Sequence, residues 1–182
     1  MRVKRYIMIL VGIYFCLASA VSYAGSQPQL EQSILAPDEL VVFSKKVEKY
    51  AASKGARVFI IARLGSPKSE LPKHIEFTHV GLAVYSKIQT ADGDELWGYA
   101  IHNLYQNADA PDVSSLVLDY PLDFFSAGVE FKAGIIIPKP ELQEKLLESL
   151  DSGVNKRLHN ENYSIIANPY SRTYQNCTEH ML

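Results

Sequence analysis

The chain has 182 residues, 18 Lys and Arg against 20 Asp and Glu, a formal charge of −2 and 47% hydrophobic residues. That length suits a single domain with a sizeable core. The near-neutral balance, with no basic stretch interleaved with aromatics, excludes nucleic acid as an expected partner.

Arg2, Lys4 and Arg5 precede an apolar run over 6–21, and Ser22-Tyr23-Ala24 then precedes Gly25. This is the layout of a secretory signal peptide over residues 1–24. The apolar run is short for a spanning helix and has no stop-transfer flank. No stable membrane span is therefore expected after its removal, and the expected location is periplasmic or secreted. A lipoprotein reading through Cys16 fails, because Tyr14 and Phe15 stand where small residues are needed. Cleavage removes three of the 18 basic residues and leaves 15 against 20 acidic ones, about −5. It also removes Cys16, so Cys177 remains alone and cannot form an internal disulfide.

Residues 25–36 read as a polar linker, and 37–182 as one domain. Pro37, Asp38 and Glu39 open a helix with Leu40, Val41, Val47, Tyr50 and Ala51 as its apolar face and Gly55 at its end. RVFIIARL (57–64) reads as a buried strand. A polar loop with two prolines follows, then two hairpin strands over 76–87 and 95–104 around Ala91-Asp92-Gly93-Asp94. Leu116 to Leu118 reads as a short strand, PLDFFSA (121–127) as one helical turn with Phe124 and Phe125 in the core, and 129–138 as a strand. PELQEKLLESL (140–150) reads as a helix closed by Gly153, and 163–167 as a short strand. Tyr163, Tyr170 and Tyr174 read as a packing cluster, and His74 and His159 as solvated. The class is α+β, a small antiparallel sheet with flanking helices.

The chemistry-bearing stretch is Tyr174-Gln175-Asn176-Cys177-Thr178-Glu179-His180. Asn176 as a helix N-cap and Glu179 three residues on form a capping-box pattern. Cys177 then starts a helix, where the unpaired N–H groups favour thiolate over thiol. On the hairpin, His79, Gly81, Ala83 and Tyr85 share one face of the first strand, and Gly98, Ala100 and His102 one face of the second. A two-residue turn at either Asp92-Gly93 or Thr90-Ala91 gives cross-strand partners whose residue numbers have an odd sum. His79 and His102 then lie on one face; only a bulge that makes the sum even would split them. The small residues on that face leave a groove for the helix that carries Cys177.

His79 in FTHVGLAVY, His102 in YAIHNLY and Cys177 in QNCTEHM make the chain similar to the circularly permuted papain-like superfamily, which includes the NlpC-type peptidases. The stretches RVFIIARLG, FTHVGLAVY, YAIHNLYQ, GIIIPKPELQEKL and NYSIIANPYSRTYQN resemble an uncharacterised family of exported bacterial proteins over nearly the whole mature chain. The resemblance implies a Cys-His-His triad, with Cys177 as nucleophile, His79 as general base and His102 orienting its ring. The Cys177 backbone N–H, with Tyr174, Gln175 and Asn176 as supporting polar groups, would hold an oxyanion. The expected activity is cysteine hydrolase or acyltransferase chemistry on an amide or ester, with a cell-wall peptide or an acylated envelope component as partner. The alternative is a catalytically silent exported binding domain. No cofactor is implied; the competing metal reading assembles zinc from Cys177, His180, His79 and His102. The chain stops five residues after Cys177, less than two helical turns, which suggests a truncated C-terminus.

Overall fold

A computed structural model describes residues 33–90 and 92–181. The leader and most of the linker expected from sequence lie outside the described residues. Helix α1 (Pro37–Ser53) starts with Pro37 in its first turn and Asp38 and Glu39 beside its positive end. It ends before Gly55, whose φ of 68° is a left-handed conformation. Its buried positions are Leu40, Ser44, Val47 and Ala51, one helical stripe. Val41 and Tyr50, expected on that stripe, face solvent.

Five strands follow: β1 (Val58–Arg63), β2 (His79–Gln89), β3 (Glu95–Gln106), β4 (Ser114–Asp119) and β5 (Ala133–Ile136). They form one antiparallel sheet in the order β4-β3-β2-β1-β5. Helix α2 (Pro121–Ser126) links β4 to β5, and α3 (Pro140–Asp151), α4 (Val154–Arg157) and α5 (Cys177–Met181) complete the chain. α4 was not expected. β5 is shorter than its predicted span because Val129 N–H is bonded to Leu64 O and Lys132 N–H to Glu130 O, which commits 129–132 to a turn. The strand expected over 163–167 reduces to one bridge, Tyr163 with Gln175, after which Ala167 N–H turns back to Ser164 O.

The α+β class follows from alternation in the strands. Phe59, Ile61, Ala83, Tyr99 and Ile101 face Leu40, Val47 and Ala51 of α1 and Phe124 and Phe125 of α2. Val58, Ile60, Leu82 and Val84 face the other way, against Leu146, Leu147 and Leu150 of α3 and Met181 of α5. The sheet is thus sandwiched between α1 with α2 on one side and α3 with α5 on the other. No described helix is long and apolar enough to cross a membrane.

The β2–β3 register departs from expectation. Leu82 lies opposite His102 and Gln89 opposite Glu95, so partner numbers have an even sum. The cause is the connection between Gln89 and Glu95, an odd number of residues. Gly93 takes φ 87° and bonds back to Thr90 O, while Thr90 and Asp94 are bonded at 2.8 Å. A left-handed glycine of this kind closes a hairpin loop one residue longer than a two-residue turn. Every side chain of β3 is thereby placed on the face opposite to the expected one.

Gln143 ties α3 to the start of β1. Its Oε1 accepts from the backbone N–H groups of Arg57 at 2.8 Å and Val58 at 3.1 Å, and its Nε2 donates to Pro138 O at 2.9 Å. Gln143→Ala orphans buried donors, and a loss of about 1–3 kcal/mol is expected in urea unfolding, with an unchanged slope.

Candidate functional site

The even register separates the two candidate histidines. His79 points to the α1–α2 side with Asn103, Tyr105 and Arg63, and His102 points to the α3–α5 side beside Leu82. The expected shared face and its small-residue groove do not form. Ala83 is instead covered by the core, and the place of a side chain at Gly81 is taken by Asn103. A Cβ on Gly81 would lie 2.6 Å from Asn103 Oδ1, so this close approach requires glycine.

A chain of buried polar groups orients His79. Asn103 Nδ2 donates to Ile101 O at 3.0 Å and to Asp119 Oδ2 at 3.4 Å. Its Oδ1 is thereby turned to His79 Nε2, 3.0 Å away. Because Oδ1 only accepts, Nε2 carries the proton and Nδ1 the lone pair. Nδ1 is buried and has no hydrogen-bond partner among the described residues. The ring stacks on Tyr105 with centroids 4.6 Å apart. Tyr105 hydroxyl donates to Asp119 and accepts from Arg63 Nη1 at 3.2 Å, and Arg63 also donates to Phe124 O. Burial, with the Arg63 guanidinium acting in the same direction, holds His79 well below the usual histidine range. Burial raises Asp119, against its hydrogen bond from Tyr105 and the charge of Arg63. Burial also raises Tyr105.

Cys177 starts α5, which lies against β2 and β3. Asn176 caps the helix as expected: its Oδ1 accepts from Glu179 N–H at 3.0 Å. The reciprocal half of the capping box is absent, since neither Glu179 carboxylate oxygen has a hydrogen-bond partner among the described residues. The thiol is buried. Burial pushes it up, opposed by hydrogen bonds from the Val80 backbone and from the Thr178 backbone and side chain, and by the charge of Arg63. The expected activated thiolate is therefore corrected: desolvation outweighs what the helix start and the N–H groups supply. Among the described residues no hydrogen bond joins Cys177 to His79, whose Nε2 is held by Asn103 and whose Nδ1 is unpaired. The His79 ring lies on the α1–α2 side of the sheet and α5 on the other, so the two are linked only through the end of β2. The thiol is held at Val80, the residue after His79, and His79 and Thr178 both line a cavity of about 260 Å³ with Phe77, Ile136 and Met181.

The remaining candidates are placed elsewhere. His102 lines a second cavity with His180, where burial, and then Lys156, lower it. It makes no contact that could orient His79 across the sheet. Gln175 Oε1 accepts from Asn160 N–H at 3.0 Å and its Nε2 donates to Leu158 O at 3.2 Å. Asn176 Nδ2 donates to Ile165 O and Ala167 O. Both amides are committed to bracing the loop before α5, which removes them as free oxyanion donors. Tyr174 is half exposed in a groove with Arg172 and Glu179. The tyrosine cluster does not form, since Tyr163 is buried and Tyr170 fully exposed. His159 is half-buried, bonded to Ser114 Oγ at 3.1 Å, whereas His74 is exposed as expected. The zinc reading loses its ligand set: no group of three or more His, Cys, Asp or Glu side chains converges among the described residues.

Sequence reasoning missed Asn103, Tyr105, Asp119 and Arg63. A signal was present in Arg63, a charge inside the apolar run RVFIIARL, which a buried strand can hold only with partners.

The sequence model of a family described as an uncharacterized protein conserved in bacteria, DUF2145, matches residues 50–182. No curated protein matches, and no solved structure matches.

Two measurements follow from these protonation states. An unfolded histidine titrates near 6.5 and His79 far below it, so between those values the unfolded chain binds the additional proton. Stability is full above about pH 6.5 and falls as the pH drops below it. The urea midpoint is expected to fall from pH 7.5 to pH 5.0, and to fall less in His79→Gln, which keeps a donor for Asn103 but does not titrate. Equal falls in the two proteins would contradict the assignment. Separately, the pH profile of Cys177 alkylation by iodoacetamide is expected to lie above that of the urea-unfolded chain.

Proposed function

The chain belongs to that bacterial family, and from its geometry we propose an exported thiol hydrolase or acyltransferase that attacks an amide or ester through a thioester on Cys177. The observation that carries this reading is the state of His79. Its ring is fixed by Asn103 and Tyr105, it is neutral, and its basic Nδ1 is unpaired next to the strand residue that holds the thiol. An oriented, neutral imidazole with an unpaired Nδ1 is one half of what a general base needs; the other half, reach to the thiol, would have to come with substrate binding. In this reading Asn103 takes the orienting role expected of His102, and Asp119 and Tyr105 hold Asn103.

The chemistry starts from a neutral thiol and a neutral imidazole. At rest the ring faces α1 and α2, while α5 packs on the other face of the sheet. Substrate binding would have to shift the start of α5 past the end of β2 before Nδ1 takes the S–H proton as sulfur bonds to the acyl carbon. The tetrahedral oxyanion accepts from the Cys177 N–H, then collapses and expels the amine or alcohol, which receives the proton from Nδ1. Water or an acceptor hydroxyl then gives its proton to Nδ1 and attacks the thioester, releasing the acid or the transferred acyl product and restoring the thiol.

The order of histidine strand before cysteine helix, with the helix lying on that strand, supports the finer relation to a permuted papain-like fold. The leader at 1–24 supports a periplasmic or secreted location. The apolar wall of Phe77, Ile136 and Met181 beside His79 favours an acylated envelope component over a polar cell-wall peptide. The buried, raised thiol favours a second reading, a catalytically silent exported domain of the same fold.

Mass spectrometry of the mature protein incubated with p-nitrophenyl hexanoate separates the two. An acyl adduct on Cys177 is expected, formed about 10²–10⁴-fold more slowly in His79→Ala. Asn103→Ala is expected to slow it by up to about 10²-fold through misorientation, and His102→Ala by far less. No adduct from this or an amide donor, or equal rates in Cys177→Ala, would leave the silent domain.

A further inference from the structure

The segment between α4 and α5 is irregular, yet its backbone is firmly braced. Asn176 Nδ2 donates to Ile165 O and Ala167 O, and Asn160 Nδ2 donates to Arg172 O and Thr173 O. Ala167 N–H closes a turn on Ser164 O, and Ser171 N–H another on Asn168 O. Loop tips are ordinarily small and polar. This one holds apolar side chains out into solvent. Ile166 is 84% and Tyr170 98% exposed, so among the described residues almost nothing covers either, and Leu158, Ile165 and Tyr174 are exposed as well. Single exposed apolar residues need no explanation, but several on one braced loop mark a contact surface.

Two grooves that share Ser171 and Tyr174 run beside this tip. Leu158, Pro169 and Tyr174 line the larger, of about 750 Å³, and Ile166 and Tyr174 the smaller, of about 150 Å³. Arg157 of α4 and Arg172 of the loop both line the larger groove. Arg157 Nη1 donates to Ser152 O at 2.8 Å, which uses one of its five donors. Neither arginine is in an ion pair among the described residues. Glu179 lines the same groove, but neither of its carboxylate oxygens has exposed surface. Lys156 to Tyr174 carries three basic residues against one acidic, in a chain that is acidic overall.

We infer that this loop docks on the surface of an anionic bilayer. Ile165, Ile166 and Tyr170 enter the boundary between headgroups and acyl chains, and Arg157 and Arg172 meet lipid phosphates. The composition is that of an interfacial anchor: aliphatic side chains to insert, tyrosines for the headgroup level, and arginines behind them for the negative surface. A protruding tip also suits a bilayer better than a protein. It inserts without a matching surface, whereas a stable protein contact needs about 800 Å² on each partner. The docking uses neither Cys177 nor His79, so it stands or falls apart from the proposed catalysis.

The test is co-sedimentation of residues 25–182 with vesicles of phosphatidylcholine alone and of phosphatidylcholine with an equal amount of phosphatidylglycerol. Binding to the mixed vesicles is expected, weakened by added salt, with far less to the neutral ones. Ile166→Ser is expected to lower the partition coefficient about 10-fold or more, and Arg172→Gln about 5-fold. Both side chains are exposed, so neither change disturbs the core. Insertion is read separately from Tyr170→Trp in a Trp97→Phe background: on the mixed vesicles its emission is expected to shift to the blue and to be quenched by brominated acyl chains. No binding to the mixed vesicles, equal binding to the neutral ones, equal binding by Ile166→Ser, or an unquenched tryptophan would overturn the proposal. Self-association that Ile166→Ser abolishes, without vesicle binding, would assign the loop to a second copy of the chain instead.

Discussion

The charge of Arg63 is buried at the end of β1, and much of the site follows from satisfying it. A guanidinium does not deprotonate in proteins, so the escape open to a buried lysine is closed and the surroundings must supply acceptors. The Tyr105 hydroxyl and the Phe124 carbonyl do so, with the rings of the same two residues stacked near the guanidinium. Tyr105 then spends its own proton on Asp119, Asp119 draws in the amide of Asn103, and Asn103 turns its oxygen to His79. Each donor in the series is directed by an acceptor that has no other option. The tautomer of His79 is thus decided through several residues, starting from a charge on another strand. Breaking one member of such a network leaves a buried polar group uncompensated, so its members are expected to act as a unit.

The same burial that fixes the histidine keeps the thiol protonated. Burial favours the neutral form of both groups, and among the described residues no hydrogen bond joins sulfur and imidazole. The hydrogen bonds from Val80 and Thr178 reach the sulfur without overcoming its desolvation. A reactive thiol exposed to an oxidising compartment is vulnerable, and a buried neutral one is protected.

Local features of the fold were legible in sequence where one principle acted alone. Pro37 and Pro140 mark helix starts, Gly55 and Gly153 mark ends, and alternation in β1 and β2 sets their two faces. Asn176 as a cap was legible for the same reason. The pairing of His79 was not, because it depends on whether a hairpin loop holds an even or an odd number of residues. Gly93 permits both, and the choice puts Asn103 rather than His102 on the face of His79. The state of Cys177 was not legible either. Helix position argues for a low pKa and desolvation for a high one, and only tertiary burial decides between them.

Gly81 and Asn103 share one volume: the oxygen that orients His79 occupies the space a Cβ at position 81 would take. The two positions are therefore sterically exclusive, and substitution at one changes what is tolerated at the other. Among relatives, a side chain at position 81 should accompany a smaller residue at position 103, and with it the loss of the acceptor that holds His79. Retention of glycine at 81 is then a mark, readable without a structure, of relatives that keep the histidine oriented.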